Sequence, residues 1–251
     1  MKNNLNLGLL LACSLSFVLG CGQSSSTSVQ TGDTFVGSDY FTPSANLSIT
    51  GHIVGTQNDY NTDGSISETS TLDKDGNAYL GASVLRFGRT VFPLYSLDFN
   101  GGVSNDGRPA AYLGLSDGSV FGLNERAPNS ATIFPKSLVI GQTYGPFEDN
   151  GFVPCHVTPK QHLASFTAKD GTSYSDVLQL DVTYADQSWE PNFTGGVDTT
   201  AISGSLAVYF AKGKGPVECD ASWERREFGY ASGKYYNRLR GNVSGYVTRK
   251  D

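Results

Sequence analysis

The sequence is short of residues that usually carry chemistry. Its 251 residues include one methionine (the initiator), three histidines and four cysteines. No Gly-x-Ser-x-Gly joins a strand to a helix, which excludes a hydrolase of the nucleophile-elbow kind. There is no dinucleotide or phosphate-loop signature. His52, His156 and His162 are the only imidazoles, and no motif sets a serine or cysteine beside them. An enzyme of unrecognised type would need a histidine and a carboxylate or hydroxyl brought together in one cleft. The 24 carboxylates offer many imaginable acid–base pairs, but spacing selects none. No catalytic residue, metal or cofactor is assigned on these grounds. A net charge of −6 argues against nucleic acid as the main partner. Beyond the first twenty residues no apolar run approaches the ~18 needed for a membrane-spanning helix, and no segment shows a 3.6-residue period with helix caps.

What is present begins at the N-terminus. Lys2 precedes a short apolar run, Leu5 to Leu19, which closes on Val18-Leu19-Gly20-Cys21. Charge, a short apolar stretch and a small residue before the cut is the order of an export signal. With a cysteine placed after the small residue, the stretch resembles a bacterial lipoprotein signal. The resemblance implies a diacylglycerol thioether on Cys21, cleavage before it and acylation of the new N-terminus. Gly22, standing where inner-membrane retention often uses Asp, is similar to outer-membrane lipoproteins. The expected organisation is a signal over 1–20, a lipidated cysteine and Ser/Thr-rich tether over 21–34, and one β domain over 35–251. The tether, GQSSSTSVQTGDT, has no apolar period and should span roughly 20 Å.

The body reads as strands. Asn46 to Ile53 alternates apolar and polar side chains, as a half-buried strand should. Asp-Gly pairs at 63–64, 75–76, 106–107, 117–118 and 170–171 suit two-residue hairpin turns, because both central residues need positive φ. Their spacing predicts a meander of strands about five to eight residues long. Asp73-Lys74-Asp75-Gly76-Asn77 also opens like a calcium loop, but the twelfth position is Val84 rather than a glutamate, which favours the turn. Further strand-like runs are Val91–Phe99, Ser119–Leu123, Tyr174–Tyr184 and Ala201–Lys212; Ala127 to Pro135 reads as a loop. The expected fold is all-β: a single antiparallel, strongly curved sheet, a barrel or a sandwich.

Two cysteines remain in the body, Cys155 and Cys219. An exported protein would pair them, closing a loop of roughly 65 residues worth about 4 kcal/mol in the chain-entropy model. A zinc site using Cys155, His156, His162 and Cys219 has the right ligand types, yet adjacent strand residues point to opposite faces. The glycine-rich Gly213-Lys214-Gly215 lacks the following helix that a phosphate cradle needs.

Residues 130–220 are similar to uncharacterised bacterial lipoproteins that carry three segments in order. The first matches at Pro135, Leu138, Gly141 and Tyr144, and the second at Gly171, Tyr174, Leu178 and Leu180. The third matches most closely, at Tyr209-Phe210-Ala211-Lys212-Gly213-Lys214-Gly215-Pro216-Val217, although Lys214 and Pro216 stand where that family is apolar. The resemblance implies a strongly bent antiparallel sheet and no particular activity.

The C-terminal thirty residues are basic. A hairpin from Trp223 is expected, with Lys234, Tyr236, Arg238 and Arg240 on one face by period two, then a turn at Gly241-Asn242. Such a face is ordinarily solvated and paired with Glu224 and Glu227 across the hairpin. It is also able to hold an anionic lipid head group, a glycan phosphate or another envelope polymer. The sequence thus points to an envelope protein held to a membrane by its N-terminal lipid and acting by binding or assembly. The ligand would be apolar or a glycan, or the basic hairpin would dock an anionic lipid, glycan or protein. Labelling cells with radioactive palmitate should mark the protein, and Cys21→Ser should abolish the label.

Overall fold

The structure is a computed structural model describing residues 32–97, 109, 111–123, 130–149, 152–184, 199–231 and 234–250. Signal, lipidation site and most of the tether lie outside these residues, as does Asp106-Gly107.

Fifteen strands and one short helix follow the chain: β1 Thr34–Val36, α1 Gly37–Tyr40, β2 Ser48–Tyr60, β3 Ile66–Leu80, β4 Val84–Arg86, β5 Arg89–Leu97, β6 Ala111–Ser116, β7 Ser119–Leu123, β8 Ser130–Phe134, β9 Ser137–Val139, β10 Tyr144–Asp149, β11 Phe152–Thr167, β12 Ser173–Tyr184, β13 Thr199–Ala211, β14 Gly215–Ala231 and β15 Lys234–Arg249. All ladders are antiparallel. Twelve strands run in the order β10-β11-β12-β13-β14-β15-β2-β3-β5-β6-β7-β8, β4 pairs off the path with β5, and β1 pairs with β9 in a separate two-stranded sheet. The large sheet curls until its edge strands β8 and β10 lie alongside one another, with no ladder joining them among the described residues.

The inward face makes one apolar core. Leu178, Leu180 and Val182 of β12, Leu206, Val208 and Phe210 of β13, Cys219 and Trp223 of β14, and Val243 and Val247 of β15 meet Ile53, Leu80, Leu94, Leu113, Val120 and Phe134 from the other half of the sheet. On β2 and β3 the outward positions include Thr50, His52, Thr56, Thr71, Asp73 and Asp75, polar apart from Val54, where Ile49, Ile53 and Ala78 are buried. That alternation is the reverse of a membrane-spanning barrel's lipid-facing band.

Curvature has a local cause. Gly55 and Gly245 are register partners on β2 and β15. A Cβ on Gly55 would stand 2.7 Å from the Ser244 carbonyl oxygen, and one on Gly245 would stand 2.5 Å from that of Val54. Only glycine permits two backbones to crowd in this way where a sheet bends.

The strands are longer than the turn spacing predicts, and three expectations are corrected. Asp75-Gly76 is not a turn: β3 runs through it, with Gly76 paired to Gly51 and Asp75 to His52. Gly241-Asn242 is likewise inside β15, where a bulge between Arg225 and Arg226 on one side leaves Arg240 as the extra residue on the other. The loop expected over 127–135 contains β8. Turns at Asp63-Gly64, Asp117-Gly118 and Asp170-Gly171 are present, and Asp117 and Gly118 take φ of 49° and 77° as a two-residue hairpin requires.

A second, smaller core lies on the outward face of β12–β14. The tip of the β11–β12 hairpin bends so that Leu163, Phe166 and Val177 cover Tyr209, Ala211 and Val217, with the rings of Phe166 and Tyr209 stacked 4.4 Å apart. Beside it the Glu218 carboxyl is fully buried. Its Oε2 accepts the Lys169 backbone N–H, while Oε1 has no partner. Burial pushes its pKa from 4.5 up to about 7, against the pull of Lys169. The folded protein therefore holds this proton more tightly than the unfolded chain does. The resulting stability is complete below about pH 4.5 and is lost as pH rises through about 7. Glu218→Gln should melt higher than the native protein at pH 8, and thermal melts from pH 4.5 to 8 should show a flatter profile for the variant.

Candidate functional site

Two polar clusters stand out, one at each end of the curled sheet. The first is made by the N-terminal arm, β1 and α1, which crosses one mouth. Gly37 N–H donates to the Lys136 carbonyl and Gly213 N–H to that of Asp39. Phe41 packs edge-on to Phe134 and Phe210 inside the barrel-like core. Tyr40 is 2% exposed and its hydroxyl donates to Asp176 Oδ1 at 2.8 Å. His162 Nε2 lies 2.6 Å from the same oxygen, and Phe35 stacks on the imidazole at 4.8 Å. Lys212 Nζ reaches Asp39 at 3.3 Å and Asp176 Oδ2 at 3.6 Å.

Asp176 holds this knot from an unusual backbone conformation, φ +55°, which few non-glycine residues adopt. Its burial works against ionisation, but the bonds from His162 and Tyr40 outweigh it, and the carboxyl sits below its ordinary pKa. Burial, reinforced by the Asp176 carboxylate, pushes the Tyr40 phenol well above its own. A histidine, a carboxylate and a hydroxyl thus do come together, yet they are not arranged for catalysis. Both Tyr40 and His162 address Asp176, so the hydroxyl is bonded to the carboxylate and not to the imidazole, and Phe35 covers one ring face. The chemistry of the cluster is to fasten the arm. The other described histidine cluster is outward-facing: His52 lies between Asp75, at 2.7 Å, and Asp73, at 3.3 Å, with Lys250 also on Asp75.

The second cluster sits on β14 and β15, about 40 Å along β14 from the arm. Arg225 continues the inward column of Cys219 and Trp223. Beyond it Glu227, with a side chain 7% exposed, is met by three guanidinium groups: Arg238 at 2.8 Å, Arg240 at 3.2 Å and Arg225 at 3.5 Å. Arg238 is bound through both Nε and Nη2. Arg226 is held separately by Glu224 at 2.7 Å. Among the described residues three guanidinium groups meet one carboxylate, and the buried Arg225 Nε has no partner there.

Of the predicted basic face, Arg238 and Arg240 are therefore brought together, on a buried carboxylate rather than along a solvated stripe. The side chains of Lys234 and Tyr236 lie outside the described ones. Arg225 was missed because period-two counting ignores the bulge that places Arg240 beside it. Of the two expected partners across the hairpin, Glu227 binds Arg238 and Arg240, while Glu224 takes Arg226.

Cys219 is buried in the main core; the Cys155 side chain lies outside the described ones. The register Cys155↔Tyr184↔Gly204↔Trp223 puts Cys155 three strands and four residues from Cys219, about 20 Å over the sheet surface. A bridge needs Cα atoms within about 7 Å, so the backbone register gives the expected disulfide no support. Nor does it gather the four side chains weighed and set aside as zinc ligands: His162 is taken up by Asp176. Among the described residues no three His, Cys, Asp or Glu side chains are grouped to hold a metal.

Compared with known proteins, this chain matches no family model, no curated protein and no solved structure. Function rests on geometry alone.

Tyr40→Phe removes one buried hydrogen bond to a charged acceptor and should cost about 2 kcal/mol. Hydrogen exchange should quicken at the Gly37 and Phe41 amides, with the amides of β13 unaffected.

Proposed function

We propose that the protein is a lipid-anchored component of a bacterial envelope, most simply of the outer membrane, that works by binding an anionic group at the arginine cluster. Anchoring is supported by the signal-like order ending at Cys21; binding is supported by the three guanidinium groups around Glu227. Arginine suits the task because its planar fork matches carboxylate and phosphate oxygens, and its charge does not titrate away. Arg225 and Arg240 each keep about a quarter to a third of the side chain exposed, so an incoming anion can reach donors that Glu227 does not use. Glu227 itself acts as an internal counter-ion, holding the guanidinium groups together until a stronger anion arrives.

This reading stands ahead of an apolar carrier. Among the described residues, an apolar cavity beneath Phe41, bounded by Leu47, Ile49, Leu80, Leu94 and Leu113, encloses about 260 Å³ including solvent at its mouth. Small-molecule sites generally run from roughly 300 to 1,000 Å³.

Lipopolysaccharide is a suitable anionic probe. Arg225→Gln with Arg240→Gln removes two charge-assisted donors, and retention on immobilised lipopolysaccharide should fall by about tenfold or more. Glu227→Gln keeps the shape but removes the competing carboxylate, so it should raise retention. Equal recovery of all three proteins would sink the proposal.

A further inference from the structure

We propose that the β4–β5 hairpin is a membrane-docking tip that seats the arm-bearing end of the sheet on an anionic lipid surface. This rests on the anchored reading above, and it concerns the end of the molecule opposite the arginine cluster.

The hairpin presents apolar side chains outward for no internal reason. Leu85 is 73% exposed and Phe87 49%. Phe87 forms the turn with Gly88 at φ 47° and 75°. A two-residue hairpin turn wants Asn, Asp or Gly at its first central position, and a bulky aromatic at positive φ is a strained choice. The sequence uses Asp-Gly at three other described turns but a phenylalanine here. Strain of that kind, joined to exposure, is what a functional tip requires and a packing residue does not.

The flanking charges indicate which surface the tip meets. Arg86 and Arg89 face each other directly in the ladder and put two positive charges at the foot of the tip. Arg86 lies over the Tyr112 ring at 4.9 Å and Arg89 over that of Phe121 at 5.2 Å. Their guanidinium groups are thereby fixed at the base of an apolar tip, Arg86 also donating to the Tyr112 hydroxyl at 2.7 Å, at the level where an entering tip meets headgroup phosphates.

Position ties the tip to the anchor. The pairing Leu80↔Leu94 carries the start of β5 past the end of β3. It emerges at the mouth crossed by the arm, where Phe41 meets Leu80 and Leu94. Val36 of β1 is 53% exposed at that same end. The described chain therefore begins, at Gly32, on the mouth that bears the tip. The acyl chains on Cys21 already hold the protein to the bilayer; the tip fixes how the folded body is seated on it.

The test uses the full chain with vesicles of equal phosphatidylglycerol and phosphatidylcholine, with plain or brominated acyl chains. Phe87→Trp adds an emission to those of Trp189 and Trp223, and brominated chains should quench the added part by about half or more. Added emission of equal strength in both vesicle types overturns the proposal. Phe87→Asn relieves the positive φ, so it should melt no lower than the native protein while losing about tenfold in vesicle contact; undiminished contact also overturns it. The anchor is read independently by palmitate on Cys21. A labelled chain whose added emission is unquenched sinks the tip alone, and an unlabelled chain whose added emission is quenched sinks the anchor alone.

Discussion

An open antiparallel sheet of twelve strands must bury one face and protect two edges, and every feature of this molecule follows from how it does both. Curling brings the inward side chains of nearly all strands into one core and carries β8 up to β10. The backbone cannot curl so tightly unless its strands are allowed to crowd, and the facing glycines Gly55 and Gly245 supply that permission. The seam between the edge strands is not laced by a ladder among the described residues. Across the mouth beside it runs the N-terminal arm, with β1 pairing β9 from the connection between those two strands.

The two ends of the curled sheet differ in chemistry because they are closed differently. At one end aromatic side chains of the arm plug the interior and a polar knot around Asp176 fastens them. At the other no such plug is described, and the inward column changes from Trp223 to charged side chains. Burying a lone Glu227 would be costly; three arginines make it tolerable. A buried carboxylate with three such partners differs from Glu218, which has one backbone donor and takes up a proton instead.

Much of the fold was legible in the sequence and little of the sites. Alternation along Asn46–Ile53 and the apolar run Ser119–Leu123 identified real strands, and Asp117-Gly118 identified a real turn, because these signals are local. Asp75-Gly76 misled because pairing with β2 on one side, flanked by Ala78 and Leu80 in the core, outweighs the turn preference of two residues. Phe87-Gly88 was invisible because phenylalanine is not a turn residue. The bulge at Arg240 looked like a turn, since Gly241-Asn242 has turn chemistry that the ladder overrides. The knot joins Tyr40 to Asp176 across 136 positions, and no periodicity reports a contact of that kind. The arginine cluster was half legible: the basic composition of the C-terminal hairpin was plain, but not the carboxylate it surrounds.

The arm has a consequence for the order of assembly. Its aromatic residues seat against Phe134 and Phe210, and its last backbone contact is with the turn after β13. The first structured segment of the chain must therefore wait for a receptor that only the final third completes, a long loop to close and a slow step. Until then the mouth stands open and Tyr40 and Phe41 are solvent-exposed. Maturation would end, not begin, at the N-terminus.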